Sequence, residues 1–397
     1  MEKFTSVPEA VQRIAPVAPV YCIRVPALQA AASWFIGNFP GKVLYAVKTN
    51  PTPLVLTYLH QFGIRHFDVA SLTEVQLVHR LFGESCQMYF MHPIKNRDAI
   101  RRAYFDYGVR DFSLDTQEEL AKILECTDNA KDLGLHIRLA IPNTHAEIDL
   151  SKKFGISLKE APALLRKARQ ATKRLGVCFH VGSQCMHPAA YSSAMKIVKD
   201  MLKAAQVKID VLDIGGGFPS AYPGMVPPPL SEYMDEIKGA VKDLTVAKGC
   251  ELWCEPGRAL VAESGSVVVQ VDLRKGQSLY INDGTYGSLF DAGQPEFVYP
   301  VRMIHPDGTA SAEPLLPFSF YGPTCDSMDY MKGPFYLPAD IKEGDYIEIG
   351  QLGAYGTTLR TKFNGFYSEI MIETGDEPLM SILGLTQEES ELTAAVA

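Results

Sequence analysis

From residue 43 to residue 254 the chain repeats one pattern: a short apolar run, a turn, then a stretch whose apolar side chains recur three and four positions apart. The apolar runs fall at 43–47, 65–69, 87–90, 109–114, 135–140, 177–181, 210–214 and 251–254, and the helical stretches include 72–81, 97–107, 117–124, 161–171 and 190–204. A continuous apolar run bounded by turn residues predicts a strand covered on both faces, as in a parallel sheet. Strands alternating with amphipathic helices predict βαβ units with right-handed crossovers. Eight of them over ~220 residues match the size of a (β/α)8 TIM-like barrel, an α/β fold. The competing reading, a doubly wound open sheet, lacks its dinucleotide fingerprint after the first strand.

The pattern changes after Ser264. Runs at 267–271, 277–282, 346–349 and 367–372 are strand-like, with Gly and Pro turns and few helical stretches between them. That texture predicts a mostly β second domain. The run at 20–25, which follows the prolines Pro16 and Pro19, is assigned to it because the barrel pattern begins later. The expected organisation is a barrel over 26–264 and a β domain built from 1–25 and 265–397. The polar, small-residue tail 384–397 is expected to fray.

Composition then narrows the function classes. The 397 residues carry a formal net charge of −8 and no basic block, which argues against a nucleic-acid partner. No stretch approaches the ~20 apolar residues needed to span a bilayer. The opening Met1-Glu-Lys-Phe-Thr-Ser6 has no basic segment followed by an apolar core, so no signal peptide is expected. Eight scattered cysteines fit reduced thiols in a cytoplasm. Their spacings do not form the paired C-x-x-C of a zinc site, and no metal is expected.

Barrel enzymes keep their chemistry at the carboxyl ends of the strands. Lys48 follows the first run, before Thr49-Asn50-Pro51. An ammonium there is costly to desolvate unless paired or neutralised. A lysine with a depressed pKa can form a Schiff base with a carbonyl compound; the plainer reading is a lysine that ends a strand and reaches solvent. Asp213-Ile214-Gly215-Gly216-Gly217-Phe218-Pro219 follows the seventh run. Its three glycines let backbone N–H groups curl around an anion, at the place where barrels recurrently hold phosphate. A simple glycine turn is the alternative.

Trp253-Cys254-Glu255-Pro256-Gly257-Arg258 closes the eighth run. A carboxylate and a guanidinium beside a phosphate loop suit a pyridine-phosphate cofactor, with Glu255 keeping the ring nitrogen protonated and Arg258 neutralising the phosphate. A structural Glu255–Arg258 ion pair is the other reading. His180-Val181-Gly182-Ser183 ends the sixth run, offering an imidazole to stack on an aromatic cofactor and a hydroxyl for a phosphate, or else a satisfied core histidine. Asp68 and Arg138 are charges inside or ending apolar runs, costly unless a site uses them. Gly322 to Ser327 and Gly353 to Gly356 read as rigid loops of the second domain, and Cys325 has no basic neighbour in sequence to activate its thiol.

Taken together these motifs resemble the pyridoxal-phosphate-dependent ornithine/lysine/diaminopimelate decarboxylases of the alanine-racemase fold type, most closely the ornithine decarboxylase branch. The resemblance runs from about residue 20 to residue 370. It rests on Tyr-Ala-Val-Lys at 45–48, Phe-Asp-Val-Ala-Ser at 67–71, His-Val-Gly-Ser at 180–183, the glycine loop at 213–219 and Glu-Pro-Gly-Arg at 255–258. Asn-Asp-Gly-Thr-Tyr-Gly-Ser at 282–288, Gly-Pro-Thr-Cys-Asp at 322–326, Gly-Ala-Tyr at 353–355 and Phe-Asn-Gly-Phe at 363–366 continue it.

The resemblance implies pyridoxal 5'-phosphate as cofactor, held by Lys48 as a Schiff base, with His180 stacked on its ring and Glu255 at its pyridine nitrogen. It implies Ser183, Gly215, Gly216, Gly217, Arg258 and Tyr355 as phosphate ligands, and places Asp68 and Arg138 near the ring's polar substituents. It further implies a head-to-tail homodimer with shared active sites. Cys325 and Asp326 would come from the partner subunit, Cys325 to assist reprotonation and Asp326 to meet the substrate's distal amine, with Tyr286 and Phe363 lining the same pocket. The implied reaction is decarboxylation of a cationic amino acid, L-ornithine giving putrescine for polyamine biosynthesis.

One stretch departs from that pattern. The ornithine enzymes carry a Tyr-Asp pair further beyond the Tyr-Gly-Ser tyrosine, whereas here Phe290-Asp291 follows Tyr286 after three residues. Asp291 is the candidate replacement for that substrate-binding aspartate, and the change leaves lysine or another cationic amino acid open as substrate. Diaminopimelate decarboxylase and amino-acid racemase are the other enzymes that this fold type would allow. A non-catalytic member would lack the lysine or the phosphate loop, and this chain has both.

Overall fold

The structure, a computed structural model, describes residues 1–142, 146–148, 152–244 and 249–383. The tail 384–397, expected to fray, lies outside them. The chain divides into two compact units, one of Ala32–Pro219 with Pro228–Gly257, the other of Met1–Ala31, Ser220–Pro227 and Arg258–Ala397.

The first unit is a closed barrel of eight parallel strands. In chain order these are barrel strands 1 (Lys42–Ala46), 2 (His66–Val69), 3 (Gln87–Phe90), 4 (Asp111–Leu114), 5 (Gly134–Arg138), 6 (Arg174–Cys178), 7 (Val211–Asp213) and 8 (Glu251–Cys254). Closure is made where Trp253 and Cys254 of strand 8 pair with Lys42 and Val43 of strand 1. The interior is filled by side chains such as Leu44, Tyr89, Cys178, Val211 and Trp253. These strands read as largely apolar runs because helices cover one face and this packing the other.

Capping sets the short connections at the carboxyl ends of the strands. Ser71 Oγ accepts from the Glu74 amide at 3.2 Å and starts helix Leu72–Phe82 only two residues after strand 2. Asn96 and Thr116 cap helices Arg97–Phe105 and Gln117–Cys126 in the same way, at 2.7 and 3.1 Å. Such caps satisfy helix N–H groups that would otherwise lack partners. They also hold the loops that carry the candidate site.

Two of the strand ends that differ from expectation bear on the site. Strand 1 stops at Ala46, and Val47–Thr49 form a 3-10 turn, so Lys48 stands in the turn and is exposed rather than buried. Strand 6 covers Arg174–Cys178 instead of 177–181, which puts His180 in the following loop. The apolar run outlasts the ladder because Phe179 and Val181 remain buried in that loop.

The second unit contains a nine-stranded mixed sheet. Val20–Ile23 pairs antiparallel with Gly265–Lys275 and parallel with Met371–Thr374. The run expected at 367–372 is therefore a strand only from Met371. Val301–Ile304, Leu315–Tyr321 and Tyr330–Pro338 are further strands in this sheet. The last two form a hairpin whose connection carries Cys325 and Asp326. Asp329 ties that connection to the segment after Ile281, accepting from the Thr285 amide at 2.8 Å and from the Thr324 hydroxyl at 2.7 Å. Helix Val7–Ile14 packs its buried Val7, Ala10 and Val11 into the core with Val20, Val268 and Ile372. Among the described residues no helix is long and apolar enough to cross a membrane.

Candidate active site

Five of the singled-out residues converge on one cavity of the barrel unit. Lys48, Asp68, Arg138, His180 and Glu255 line a space of about 390 Å³. They arrive from the carboxyl ends of strands 1, 2, 5, 6 and 8 or the turns just beyond, so the strand order alone brings them together. Asp68 and Glu255 are buried, while Arg138 and His180 are half-buried.

The electrostatics follow from that crowding. Burial, with the Glu255 charge second, holds the Asp68 carboxyl well above the usual range, and Lys48 and Arg138 oppose the shift. Burial and a hydrogen bond with Asp213 likewise push Glu255 well above it. Asp213, which is fully buried, is pushed up to about 6, chiefly by burial. Its Oδ1 accepts from the Gly215 amide at 2.9 Å. Two carboxyls that face each other out of water cannot both ionise cheaply, so the pair holds a proton. His180 is driven the other way: burial, then the Arg138 and Lys48 charges, keep its imidazole neutral.

The glycine loop after strand 7 is built for close approach. Gly215 and Gly217 have φ of +71° and +101°, which side chains rarely tolerate. A Cβ at Gly215 would collide with the Phe179 carbonyl, and one at Gly217 would lie 2.5 Å from the Gly182 carbonyl. At Gly216 it would lie 2.7 Å from the Glu255 carbonyl and 3.1 Å from His180 Nε2. The loop is thus locked between the residues after strand 6 and Glu255. The Glu255 amide donates to the Gly215 carbonyl at 2.8 Å, and the Cys185 amide to the Gly217 carbonyl at 2.9 Å. Ser183 is half-buried in the short strand Ser183–Cys185 that follows His180.

The second unit gathers two further groups. In one, the Tyr286 hydroxyl donates to Asp326 Oδ2 at 2.5 Å and the Tyr286 ring lies 4.9 Å from that of Phe363. The Cys325 amide donates to Asn364 Oδ1 at 3.2 Å. Cys325 and Phe363 are exposed, while Asp326 and Tyr286 are half-buried. The Asp326 carboxyl is held below the usual range by its bonds from the Met328 amide and the Tyr286 hydroxyl.

In the other group, Arg258 is buried beneath Tyr222, Phe297 and Tyr355, its guanidinium carbon 5.1 Å from the Tyr355 ring. It donates to the Tyr222 hydroxyl at 2.7 Å and pairs with Asp291 at 3.4 Å. Its Nε is buried without a hydrogen-bond partner. Arg258 takes Asp291 and Glu255 takes Asp213 as partner. Asp291 therefore stands with Arg258 and not in the Tyr286–Asp326–Phe363 group.

Several contributors had no clear signal in the sequence. His92, Lys153 and Phe154 line the cavity with the predicted five, Phe154 lying edge-on to His92 at 5.0 Å. His92 belongs to a loop fixed by buried Lys95, whose ammonium reaches Glu119 at 3.0 Å and the His92 carbonyl at 2.9 Å. Burial lowers that ammonium to about 8. A lysine between an apolar run and a helix cap was the available hint. Among the described residues no group of three or more His, Cys, Asp or Glu is placed to hold a metal ion.

Known proteins similar to this chain identify its family. Residues 26–262 match the family model of the pyridoxal-dependent decarboxylases, pyridoxal binding domain. The lysine/ornithine decarboxylase of Selenomonas ruminantium is 34% identical over 344 residues, covering 85% of this chain and 84% of that protein. The Vibrio vulnificus lysine/ornithine decarboxylase complexed with cadaverine superposes with a TM-score of 0.79 at 29% identity, over 94% of this chain and 100% of that one. The arginine decarboxylase of Paramecium bursaria Chlorella virus bound to agmatine gives 0.79 at 28%, over 92% and 99%. With a cavity that gathers a lysine, two buried carboxyls and an imidazole at the mouth of such a barrel, the chain belongs to the pyridoxal-dependent decarboxylases, carboxy-lyases that use pyridoxal phosphate.

Proposed function

We propose that this chain decarboxylates L-ornithine to putrescine and CO2. The observation that carries the reading is the convergence of Lys48, Asp68, Arg138, His180 and Glu255 on one cavity of about 390 Å³. These residues fit pyridoxal phosphate. The volume lies within the ~300–1,000 Å³ of small-ligand sites, and the donor set offers an amine for the aldehyde and a carboxyl for the ring nitrogen. The glycine loop, closed to any Cβ, offers backbone for a phosphate.

The cofactor, when bound, supplies an electron sink for the pair left by the departing carboxylate. The protein's own groups do the rest. Lys48 would provide the amine that holds the cofactor's aldehyde. Glu255, protonated through burial and its bond to Asp213, holds a proton at the ring nitrogen's position. His180 offers a neutral ring face, and Asp68 and Arg138 border the polar substituents. Cys325 delivers a proton to the carbon that has lost CO2. Asp326, ionised and held by Tyr286, receives the distal ammonium. The assignments of Ser183, Arg258 and Tyr355 to the phosphate and of Phe363 to the substrate pocket follow from the family resemblance.

We place these steps in a homodimer with shared active sites, in which Cys325 and Asp326 serve the barrel of a second copy. Supporting this, Met328, Phe363 and Phe366 are 58%, 41% and 47% exposed, a density of large apolar side chains that one chain leaves in water. The expected working compartment is the cytoplasm, in keeping with eight free thiols. Mixing inactive Lys48→Ala with inactive Cys325→Ala subunits should restore about a quarter of wild-type activity, because half of randomly mixed dimers carry one intact shared site. Proven subunit exchange without recovery would reject the shared site.

A panel of ornithine, lysine, arginine and diaminopimelate, scored by CO2 release, tests the substrate. Ornithine should give the highest kcat/KM, with lysine second. Higher kcat/KM for lysine or arginine would keep the decarboxylase reading and move the substrate. Racemisation without CO2 release would defeat the reading.

A further inference from the structure

The aspartate that departs from the ornithine pattern has a settled partner within its own unit. Asp291 lies in the first turn of the short helix Phe290–Gly293 and is 6% exposed. Its carboxylate pairs with Arg258 at 3.4 Å, and its carbonyl accepts from the Phe297 amide at 2.8 Å. The same segment delivers Phe297 and Tyr299, which pack against Tyr222, and Phe297 also lies under the Arg258 guanidinium at 5.2 Å. Helix and following loop thus form a cradle for one buried cation.

Asp326 differs in each respect. It is half-buried, its hydrogen-bond donors are the Tyr286 hydroxyl and the Met328 amide, and no ion pair to it occurs among the described residues. A carboxylate whose charge is already matched by a buried guanidinium gains little from a second cation, and turning toward one would strand Arg258. A carboxylate met only by neutral donors keeps its full charge for an incoming ammonium.

We propose that Asp291 is a positioning residue for Arg258, and that this chain recognises the substrate's distal amine through Asp326 without Asp291. The inference rests on the reading that the chain binds pyridoxal phosphate, with Arg258 contributing to its phosphate. Asp291 fixes where the guanidinium points, and its loss acts on the cofactor, not on the choice among basic amino acids.

The test combines cofactor titration with substrate kinetics on the full-length protein. Apoprotein of wild type, Asp291→Asn, Arg258→Met and the double variant is titrated with pyridoxal phosphate by absorbance and fluorescence. KM for ornithine and lysine is then measured at saturating cofactor. Asp291→Asn should weaken cofactor affinity by about ten- to a hundredfold. It should add nothing in the Arg258→Met background, because the two residues act as a unit. The ornithine-to-lysine preference should stay within about threefold of wild type, whereas Asp326→Asn should raise KM for both substrates with cofactor affinity unchanged.

A selective rise in ornithine KM for Asp291→Asn, at wild-type cofactor affinity, would overturn the inference. So would full additivity of the two substitutions. If Asp291→Asn does not fold, the paired replacement Arg258→Met/Asp291→Leu removes both charges at once. Its substrate preference must then equal that of Arg258→Met. Failure of the underlying reading looks different: wild-type protein would neither bind the cofactor nor release CO2.

Discussion

Lys48→Ala protein should purify without the visible absorbance of bound pyridoxal phosphate and with decarboxylase activity reduced by about 10³-fold or more. The same substitution should leave the fold almost untouched. Lys48 is exposed, while its neighbours Val47, Thr49 and Asn50 are buried and hold the turn. The Ala46 amide is fixed by the Pro256 carbonyl at 3.3 Å, independently of the lysine side chain. Loss of an exposed side chain outside the core costs about 0.5 kcal/mol or less, so the melting temperature should lie within a few degrees of that of wild-type apoprotein, the cofactor's own stabilisation being absent from both. Absorbance, CO2 release and a thermal melt on one preparation therefore separate a cofactor anchor from a structural lysine. A colourless but stable variant is the expected result; a yellow, active one would refute the role given to Lys48.

Much of this arrangement is legible in the amino-acid sequence. The eight barrel strands could be read because each is buried on both faces, which leaves a largely apolar run. The same cause blurred their ends. Phe179 and Val181 stay buried past the last residue of strand 6, and Val47 past that of strand 1. Burial continues past the end of the paired ladder, and composition registers only burial. In the second unit, Leu315–Tyr321 and Tyr330–Pro338 were obscured by Pro317, Gly333 and Pro334 within them. Helix Val7–Ile14 did carry a local sign, since Ser6 accepts from the Glu9 amide at 3.3 Å, the spacing of a capping box.

Pairings across long separations left no such trace. Arg258 could be read as a partner for Glu255 three residues before it, yet it pairs with Asp291, thirty-three residues on. The bond between Glu255 and Asp213 joins two motifs that sequence reading treats as separate sites. Each was recognisable by residue type. Which carboxylate faces which cation depends on how strands and loops are brought together.

That carboxyl pair supports a prediction of opposite kind to Lys48, visible in stability as well as in rate. Glu255→Gln should lower kcat by about 10²- to 10³-fold with little change in KM, because the lost interaction matters where charge develops and not where substrate binds. Asp213→Asn keeps an oxygen for the Gly215 amide but removes the carboxyl that shares the Glu255 proton. In the wild-type fold the Asp213 carboxyl is raised from 3.8 to about 6, chiefly by burial. A raised carboxyl favours the protonated form in the folded state. Its contribution is therefore fully present below the unfolded value and is lost as pH rises through about 6. The groups that face the pair, Asp68, Lys48, Arg138, Cys178 and Cys254, are common to both proteins and cancel in the comparison to first order. Wild-type apoprotein should thus lose stability relative to Asp213→Asn between about pH 4 and pH 7, by about 3 kcal/mol from Asp213 itself, and Glu255, which Asp213 raises further in the wild type, adds to the loss in the same direction. Melting curves of the two apoproteins across that range measure the difference. A gap that is constant with pH, or that moves in the wild type's favour as pH rises, would mean that the buried pair does not hold the proton assigned to it.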